Sequence, residues 1–126
     1  MRTEAAILKN LIQNEEYTRK VLPFLKQDYF TENADKNLFS TVHEFVNKYN
    51  SLPSEEALQI EMSEVKMNEE EYNESIQLLK DIQTDGEDYT DLNWLLDKTE
   101  KFCQDKAIYN AIVESIGILD NPKSDQ

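Results

Sequence analysis

The residue types best suited to catalysis or metal binding are sparse, because the chain has one histidine, His43, and one cysteine, Cys103. A zinc site would require His43 together with several cysteines or carboxylates, and a nucleophilic triad would require it as the base beside a serine or cysteine. The residues around it form neither constellation. His43 is therefore expected near the polar side of a helix, exposed or half-exposed. Cys103 is expected in the core, where a thiol behaves as a small hydrophobic group.

One spacing imitates a calcium loop. Asp81, Gln83, Asp85 and Gly86 occupy positions one, three, five and six of that register, between two predicted helices. Position twelve needs a bidentate glutamate but holds Leu92, and position three holds an amide. The pattern therefore argues against calcium, and we expect no bound metal.

Nucleotide binding through a phosphate loop is excluded by the glycine content. Such a loop follows the pattern G-x-x-x-x-G-K-S/T, because backbone donors must surround the phosphates. Gly86 and Gly117 are too far apart to form it. Since no nucleophile and base can be paired either, we expect no catalytic residue and no cofactor in this chain.

The net charge of the chain argues against nucleic-acid and membrane ligands. The 126 residues include 26 acidic and 13 basic ones, for a formal charge of -13. Such a surface repels duplex DNA and anionic membrane surfaces. The sequence has no run of about 18 apolar residues and no signal-peptide core, and its lone cysteine forms no intramolecular disulfide. These features predict a soluble, intracellular protein in a reducing compartment.

The scarcity of turn residues favours helices. Only two glycines and three prolines interrupt the chain, whereas sandwiches and barrels need a turn signal every ~8 to 12 residues. We expect an all-α fold, a single compact domain of about five to six helices that ends in a long one. The predicted division is a globular bundle over residues 1–90, an oligomerisation arm over 91–120 and the start of a linker over 121–126.

Apolar periodicity places the first three helices. Thr3 is expected to cap the first helix, and Pro23 is expected to end or kink the second around Leu22 to Leu25. A core helix begins at Asn33, and its apolar face carries Ala34, Leu38, Phe39, Val42, Phe45, Val46 and Tyr49.

The next two helices have stronger start signals. Ser54 is expected to cap a helix that runs to about Val65. Asn68 and Glu71 form a capping-box pattern, which predicts a further helix from Glu69 to about Gln83.

The final helix changes its apolar face partway along. It is expected to be capped by Thr90 or Asp91 and to run to about Leu119. At about 100° per residue, its first half presents a stripe suited to packing on the preceding helices, formed by Leu92, Leu95, Leu96, Phe102 and Cys103. From Ala107 onward the apolar residues centre on nearly the opposite side and cover an arc of roughly 220°, which is too wide for one neighbour.

This second face predicts contact with another polypeptide. The interface residues are expected to be Phe102, Ile108, Tyr109, Ile112, Val113, Ile116 and Leu119. Burying the last six contributes about 9 to 18 kcal/mol gross at ~1.5 to 3 per side chain, against ~4 to 15 for association. The alternative is that the helix folds back and the domain's own core covers both faces.

A series of short motifs runs through nearly the whole chain. It comprises Tyr17-x-x-Lys20-Val21-x-Pro23-Phe24-Leu25-Lys26-x-x-Tyr29-Phe30, Lys36-Asn37-x-Phe39, Val46-Asn47-x-Tyr49-x-Ser51-x-Pro53-Ser54, Ala57-Leu58, Glu71-Tyr72 and Trp94-Leu95-x-x-Lys98-Thr99-Glu100-Lys101. Their order and spacing resemble the N-terminal end of the replicative DNA helicases of T-even-type phages, which are DnaB-like.

The resemblance implies the collar of a ring helicase, an assembly and docking domain that catalyses nothing alone. In that family the collar lies above an ATPase ring, which uses ATP and Mg²⁺ and encircles single-stranded DNA in the host cytoplasm. Collars pair through a helical hairpin into a trimer of dimers and dock primase and the helicase loader. The helix from Thr99 to Leu119 corresponds to the hairpin's first arm. The second arm and the phosphate loop are not part of this sequence.

A function from another class stays open, that of a free-standing acidic phage adaptor or inhibitor that binds a host protein. The carboxylates are interleaved with lysines and form no paired ridge, which argues against a DNA mimic. Continuation of the reading frame past Gln126 into a phosphate loop would favour the helicase collar, and a stop codon would favour the adaptor.

Overall fold

The computed structural model describes the backbone of residues 2–84 and 91–120 and the side chains of residues 2–83 and 91–117. Within those residues there is no strand, which confirms the all-α prediction, and no helix long and apolar enough to cross a membrane. The helices are α1 Thr3–Gln13, α2 Glu15–Val21, α3 Asn33–Tyr49, α4 Glu55–Glu64, α5 Glu69–Thr84 and α6 Leu92–Asp120. Two 3-10 turns, Leu22–Phe24 and Gln27–Tyr29, join α2 to α3.

Three of the predicted helix starts are confirmed by cap hydrogen bonds. The hydroxyl of Ser54 accepts from the Ala57 N–H at 3.0 Å, and Asn68 Oδ1 accepts from the Glu71 N–H at 2.7 Å. Asp91 Oδ1 accepts from the N–H of Trp94 at 3.0 Å, so Asp91 caps α6. Each bond satisfies a backbone donor that a helix start leaves unpaired.

The predicted cap at Thr3 is wrong. Arg2 occupies the N-cap position without a side-chain cap, and Thr3 is already helical. Arg2 instead donates through both terminal nitrogens to the buried carboxylate of Asp35, at 2.9 and 3.1 Å. This bidentate pair fixes the start of α1 against α3 and raises the pKa of the Arg2 guanidinium.

Pro23 ends α2 as predicted. The α-helix stops at Val21, and the proline lies in the first 3-10 turn, which is closed by the N–H of Leu25 donating to the carbonyl of Leu22 at 3.3 Å. Because proline has no N–H, it cannot continue the α-helical ladder. The chain therefore turns here and places the residues that follow between α2 and α3.

In the core, α1 packs against α2, α3 and α5. Every apolar residue predicted on its stripe is buried: Ala5, Ile7, Leu8, Leu11 and Ile12. On α3, Leu38, Phe39 and Val42 are buried, but burial decreases along the last two turns. Tyr49 is 51% exposed, so its predicted place on the core face is corrected; it lines an open cleft with Glu61 and Val65 at the end of α4.

The first half of α6 belongs to this core. Leu95, Thr99 and Phe102 are buried, and α6 packs on α2 and on the second 3-10 turn. The ring of Phe102 lies 5.7 Å from that of Phe30, which stacks at 5.1 Å on Phe39 of α3. The predicted stripe of the first half of α6 is thereby confirmed. We call this packed first half of the helix the base of α6, and the rest of the helix extends from it.

Candidate protein-interaction surface

The arm, defined as residues 107–120 of α6, extends from a base that a buried hydrogen bond joins to α2. The hydroxyls of Tyr17 and Thr99 lie 2.7 Å apart, and both side chains are buried. Burial raises the pKa of the Tyr17 phenol above its ordinary value of 10.0, and the bond to Thr99 offsets part of that effect. The direction of α6 is therefore determined by a contact between residues 82 positions apart in sequence.

Replacing Tyr17 with phenylalanine is expected to lower the free energy of unfolding by about 1 kcal/mol at neutral pH, because Thr99 loses its buried partner. It should also change the alkaline limb of the stability profile. The raised pKa keeps the phenol of the folded protein protonated. Its contribution to the free energy of unfolding is therefore complete below pH 10.0 and is lost above that pH, where the phenol of the unfolded chain ionises. Urea unfolding between pH 8 and 11 should show a decline of up to about 1.4 kcal/mol per pH unit that Tyr17→Phe reduces.

The matched control is Tyr109→Phe, which removes an exposed phenol from α6. It is expected to leave both the neutral stability and the alkaline decline unchanged. Equal pH profiles for Tyr17→Phe and the unmodified protein would show that the buried phenol does not couple folding to pH.

A second hydrogen bond holds the start of the arm. The amide of Asn110 donates to the backbone carbonyl of Asp28 at 3.0 Å. Asn110 is half-buried, whereas the described residues that follow it, 111–117, are all exposed. The arm therefore leaves the bundle after Asn110.

The large apolar residues of the arm face solvent. The exposed fractions are 60% for Ile108, 62% for Tyr109, 54% for Ile112, 48% for Val113 and 50% for Ile116. Successive isoleucines are four residues apart, which places them on one side of the helix. The prediction that this face turns away from the domain's own core is confirmed, and the fold-back alternative is excluded for these five side chains. Contact of the face with another polypeptide stays a prediction.

For two of the predicted interface residues, Phe102 and Leu119, the structure shows no exposed side chain among the residues that it describes. Phe102 is only 8% exposed and packs against Phe30 within the protomer, so its assignment to the interface is corrected. It lies on the core side of α6, N-terminal to Ala107, where the apolar face changes. The side chain of Leu119 lies outside the described residues.

A groove beside the base of the arm was not predicted from the sequence. It encloses about 500 Å³ between the 3-10 turns and α6, and its lining includes Val21, Phe24, Leu96, Cys103 and Ala107. Phe24 is 70% exposed. The sequence signal that could have found it is the preceding proline, because a residue placed after the end of α2 leaves that helix's buried stripe.

His43 lies where the sequence predicts, whereas Cys103, predicted in the core, lies at its edge and lines the groove. His43 is half-exposed, with its ring 5.6 Å from that of Phe39 and its Nδ1 3.2 Å from Asn47 Nδ2. Cys103 is half-buried, and burial raises the pKa of its thiol. Residues 2–84 and 91–120 contain no group of three or more histidine, cysteine or acidic residues that could hold a metal ion. Asp85 and Gly86 of the calcium-like spacing lie outside the described residues.

Several of the motif residues stabilise the fold. Tyr17 and Thr99 form the bond between α2 and α6, and Phe30 and Phe39 stack in the core. Trp94 is an exception, because it is 53% exposed, with the ammonium of Lys98 5.9 Å from its ring. The motifs therefore combine core residues with exposed ones.

Comparison with known proteins agrees with the motif series. No family model matches the chain. The chain is 34% identical over 115 residues to the DnaB-like replicative helicase of Enterobacteria phage T4. The match covers 91% of this chain and 24% of that protein, so the chain spans about a quarter of its relative's length. The resemblance predicted from the motifs is confirmed.

Proposed function

We propose that this chain is the N-terminal assembly and docking domain of a DnaB-like replicative helicase. The similarity to the phage T4 protein supports a helicase-related role. The observation that carries the assembly role is the exposed apolar face formed by Ile108, Tyr109, Ile112, Val113 and Ile116. Scattered apolar residues are ordinary on a protein surface, whereas apolar side chains that adjoin one another on a helix projecting from the bundle are typical of a contact site.

The arm is long enough to reach a neighbouring subunit. At 1.5 Å per residue, the part of the arm after Asn110, residues 111–120, extends about 15 Å beyond the bundle. The hydrogen bond of Asn110 to Asp28 holds the first turn of the arm, and the packed base holds its direction. A partner therefore meets a helix that is already ordered, which reduces the entropy lost on binding.

The energy of covering this face suits self-association. The five side chains are each about half covered already, so burying the remainder contributes roughly 4 to 8 kcal/mol gross per protomer and twice that in a symmetric dimer. The cost of association is of similar size, about 4 to 15 kcal/mol. The arm accordingly supports a reversible dimer, and in the full-length protein such pairs would build a trimer of dimers.

The remaining parts of the function belong to the whole protein. Unwinding would depend on ATP and Mg²⁺ held by a separate ATPase domain, which this chain does not replace because its glycines cannot form a phosphate loop. Primase and the helicase loader are the proposed docking partners. The formal charge of -13 opposes direct binding of duplex DNA.

Sedimentation equilibrium over about 10 µM to about 1 mM protein tests the assembly role. We expect the average mass to rise from 14.8 kDa toward twice that value as concentration increases. A mass that stays at one protomer throughout would contradict self-association through the arm. The coding sequence beyond Gln126 tests the helicase role separately, because continuation into a phosphate loop supports it and a stop codon supports a free-standing adaptor.

A further inference from the structure

A second apolar surface lies on α3 and α4. Its apolar members are Phe45, Tyr49 and Val65, and its acidic members are Glu44, Glu61 and Glu64; we call these six residues the α3–α4 patch. Tyr49 is 51% and Val65 44% exposed, and the rings of Phe45 and Tyr49 lie 4.7 Å apart. A cleft of about 140 Å³ opens among them, lined by five of the six together with Thr41 and Lys48.

The carboxylates of the patch are not explained by the stability of the fold. Glu61 and Glu64 lie in the last turn of α4, which carries no basic residue. Acidic side chains at this position are repelled by the negative end of the helix dipole. Among residues 2–84 and 91–120, the ion pairs within 4.0 Å include none of Glu44, Glu61 and Glu64. Lys48 also lines the cleft, with its ammonium 5.3 Å from the ring of Tyr49.

The cleft has the size of one apolar side chain. A protein cavity of about 150 Å³ takes a molecule as large as benzene, so the cleft admits a leucine or phenylalanine side chain. Ile60 adds a further apolar side chain to the surface of α4, because it is 53% exposed and lies four residues from both Glu56 and Glu64. An apolar centre with a carboxylate rim matches an amphipathic helix whose polar edge is basic.

Charge excludes the other candidate occupants. A nucleic acid or an anionic lipid surface would be repelled by the three carboxylates. A second copy of this chain, paired through a two-fold axis, would place the same carboxylates opposite each other. A basic protein segment is the occupant that turns those unpaired carboxylates into favourable contacts.

We propose that the α3–α4 patch docks a basic amphipathic helix of a partner protein. One apolar side chain of that helix enters the cleft, and its lysine or arginine side chains pair with Glu61 and Glu64. The inference rests on the docking part of the proposed function and is independent of self-association through the arm.

A synthetic helix of leucine and lysine, with leucines at i, i+3, i+4 and i+7, serves as the probe, and fluorescence anisotropy measures its binding. The test variant carries Glu61→Lys and Glu64→Lys, and the control carries Asp97→Lys on α6 and Glu74→Lys on α5, which change the net charge equally at exposed positions outside both surfaces. We expect the test variant to bind at least about tenfold more weakly than the control. Its melting temperature should not fall, because lysines suit the end of α4 better than glutamates do.

Equal weakening in the two variants would overturn the site, because it would show attraction to net charge alone. Absence of saturable binding to the unmodified protein would overturn the partner chemistry, as would equal binding of a matched leucine–glutamate helix. Sedimentation of the same variants separates the two proposals, since the α3–α4 substitutions should leave self-association unchanged. In NMR spectra, perturbations centred on α6 instead of α3 and α4 would place the peptide elsewhere.

Discussion

The double substitution of Ile112 and Ile116 with aspartate is expected to abolish self-association while leaving the helix content intact. Both side chains are about half exposed and lie outside the core, so aspartate there removes little packing from the protomer. In the dimer each aspartate would lose apolar contact and place an unpaired charge in the interface. We expect the dimer to weaken at least a hundredfold, which corresponds to about 3 kcal/mol. Sedimentation equilibrium reports the mass, and circular dichroism at 222 nm reports the helix content.

The matched control places the same two charges elsewhere on α6. Asn93→Asp with Gln104→Asp adds as much negative charge at exposed polar positions and should leave the dimer intact. If the isoleucine variant still dimerises, the interface is not on this face. If the variant loses helix content, the arm contributes to the folding of the protomer, contrary to its exposure.

Replacing Phe30 with alanine is expected to lower the free energy of unfolding by about 3 to 5 kcal/mol. The ring is buried and lies 5.1 Å from Phe39 and 5.7 Å from Phe102, so it joins α3 to the base of α6. Its removal leaves a cavity that the stacked neighbours cannot fill without moving. Since a domain of this kind is stable by only about 5 to 15 kcal/mol, the loss should be plain in urea unfolding.

Phe24→Ala is the control for Phe30→Ala, because it truncates the same side chain six residues earlier where it is 70% exposed. Its effect on unfolding should stay within about 0.5 kcal/mol. Similar losses in the two variants would show that the groove around Phe24 contributes to the fold as much as the core does.

Taken together, the substitutions distinguish folding from assembly. The arm variant should change the mass of the particle at constant stability of the protomer, and Phe30→Ala should change stability through the base of α6. A protein in which the arm were merely the last part of the core would show both effects with either substitution.

The helix starts are the part of the fold that the sequence predicts best. The cap bonds of Ser54, Asn68 and Asp91 each join residues three apart, so the side chain and the backbone donor that it satisfies are close in sequence. Thr3 was the exception, because Arg2 makes its pair with Asp35, which lies 33 residues away. A distant partner of this kind has no local sequence signal.

The two surfaces differ in how far the sequence could predict them. The arm is a single helix, so the change of its apolar face follows from about 100° of rotation per residue. The α3–α4 patch is formed by the ends of two helices. Periodicity along α3 predicts Tyr49 on the core face, which the structure corrects. Periodicity shows which residues share a side of a helix but not how far the neighbouring helices extend along it.

The sequence by itself determined the all-α class, the helix starts marked by capping residues and the change of face along α6. These depend on dihedral preferences and hydrogen bonds within a few residues, together with the regular pitch of the helix. Only the tertiary structure decided between the two places that the sequence offered for Phe102, the core stripe and the interface, and showed that Phe24 projects beside a groove and that Glu44 and Glu61 line a cleft between α3 and α4. Those features depend on contacts such as the one between Tyr17 and Thr99, 82 residues apart, which form only when the helices pack.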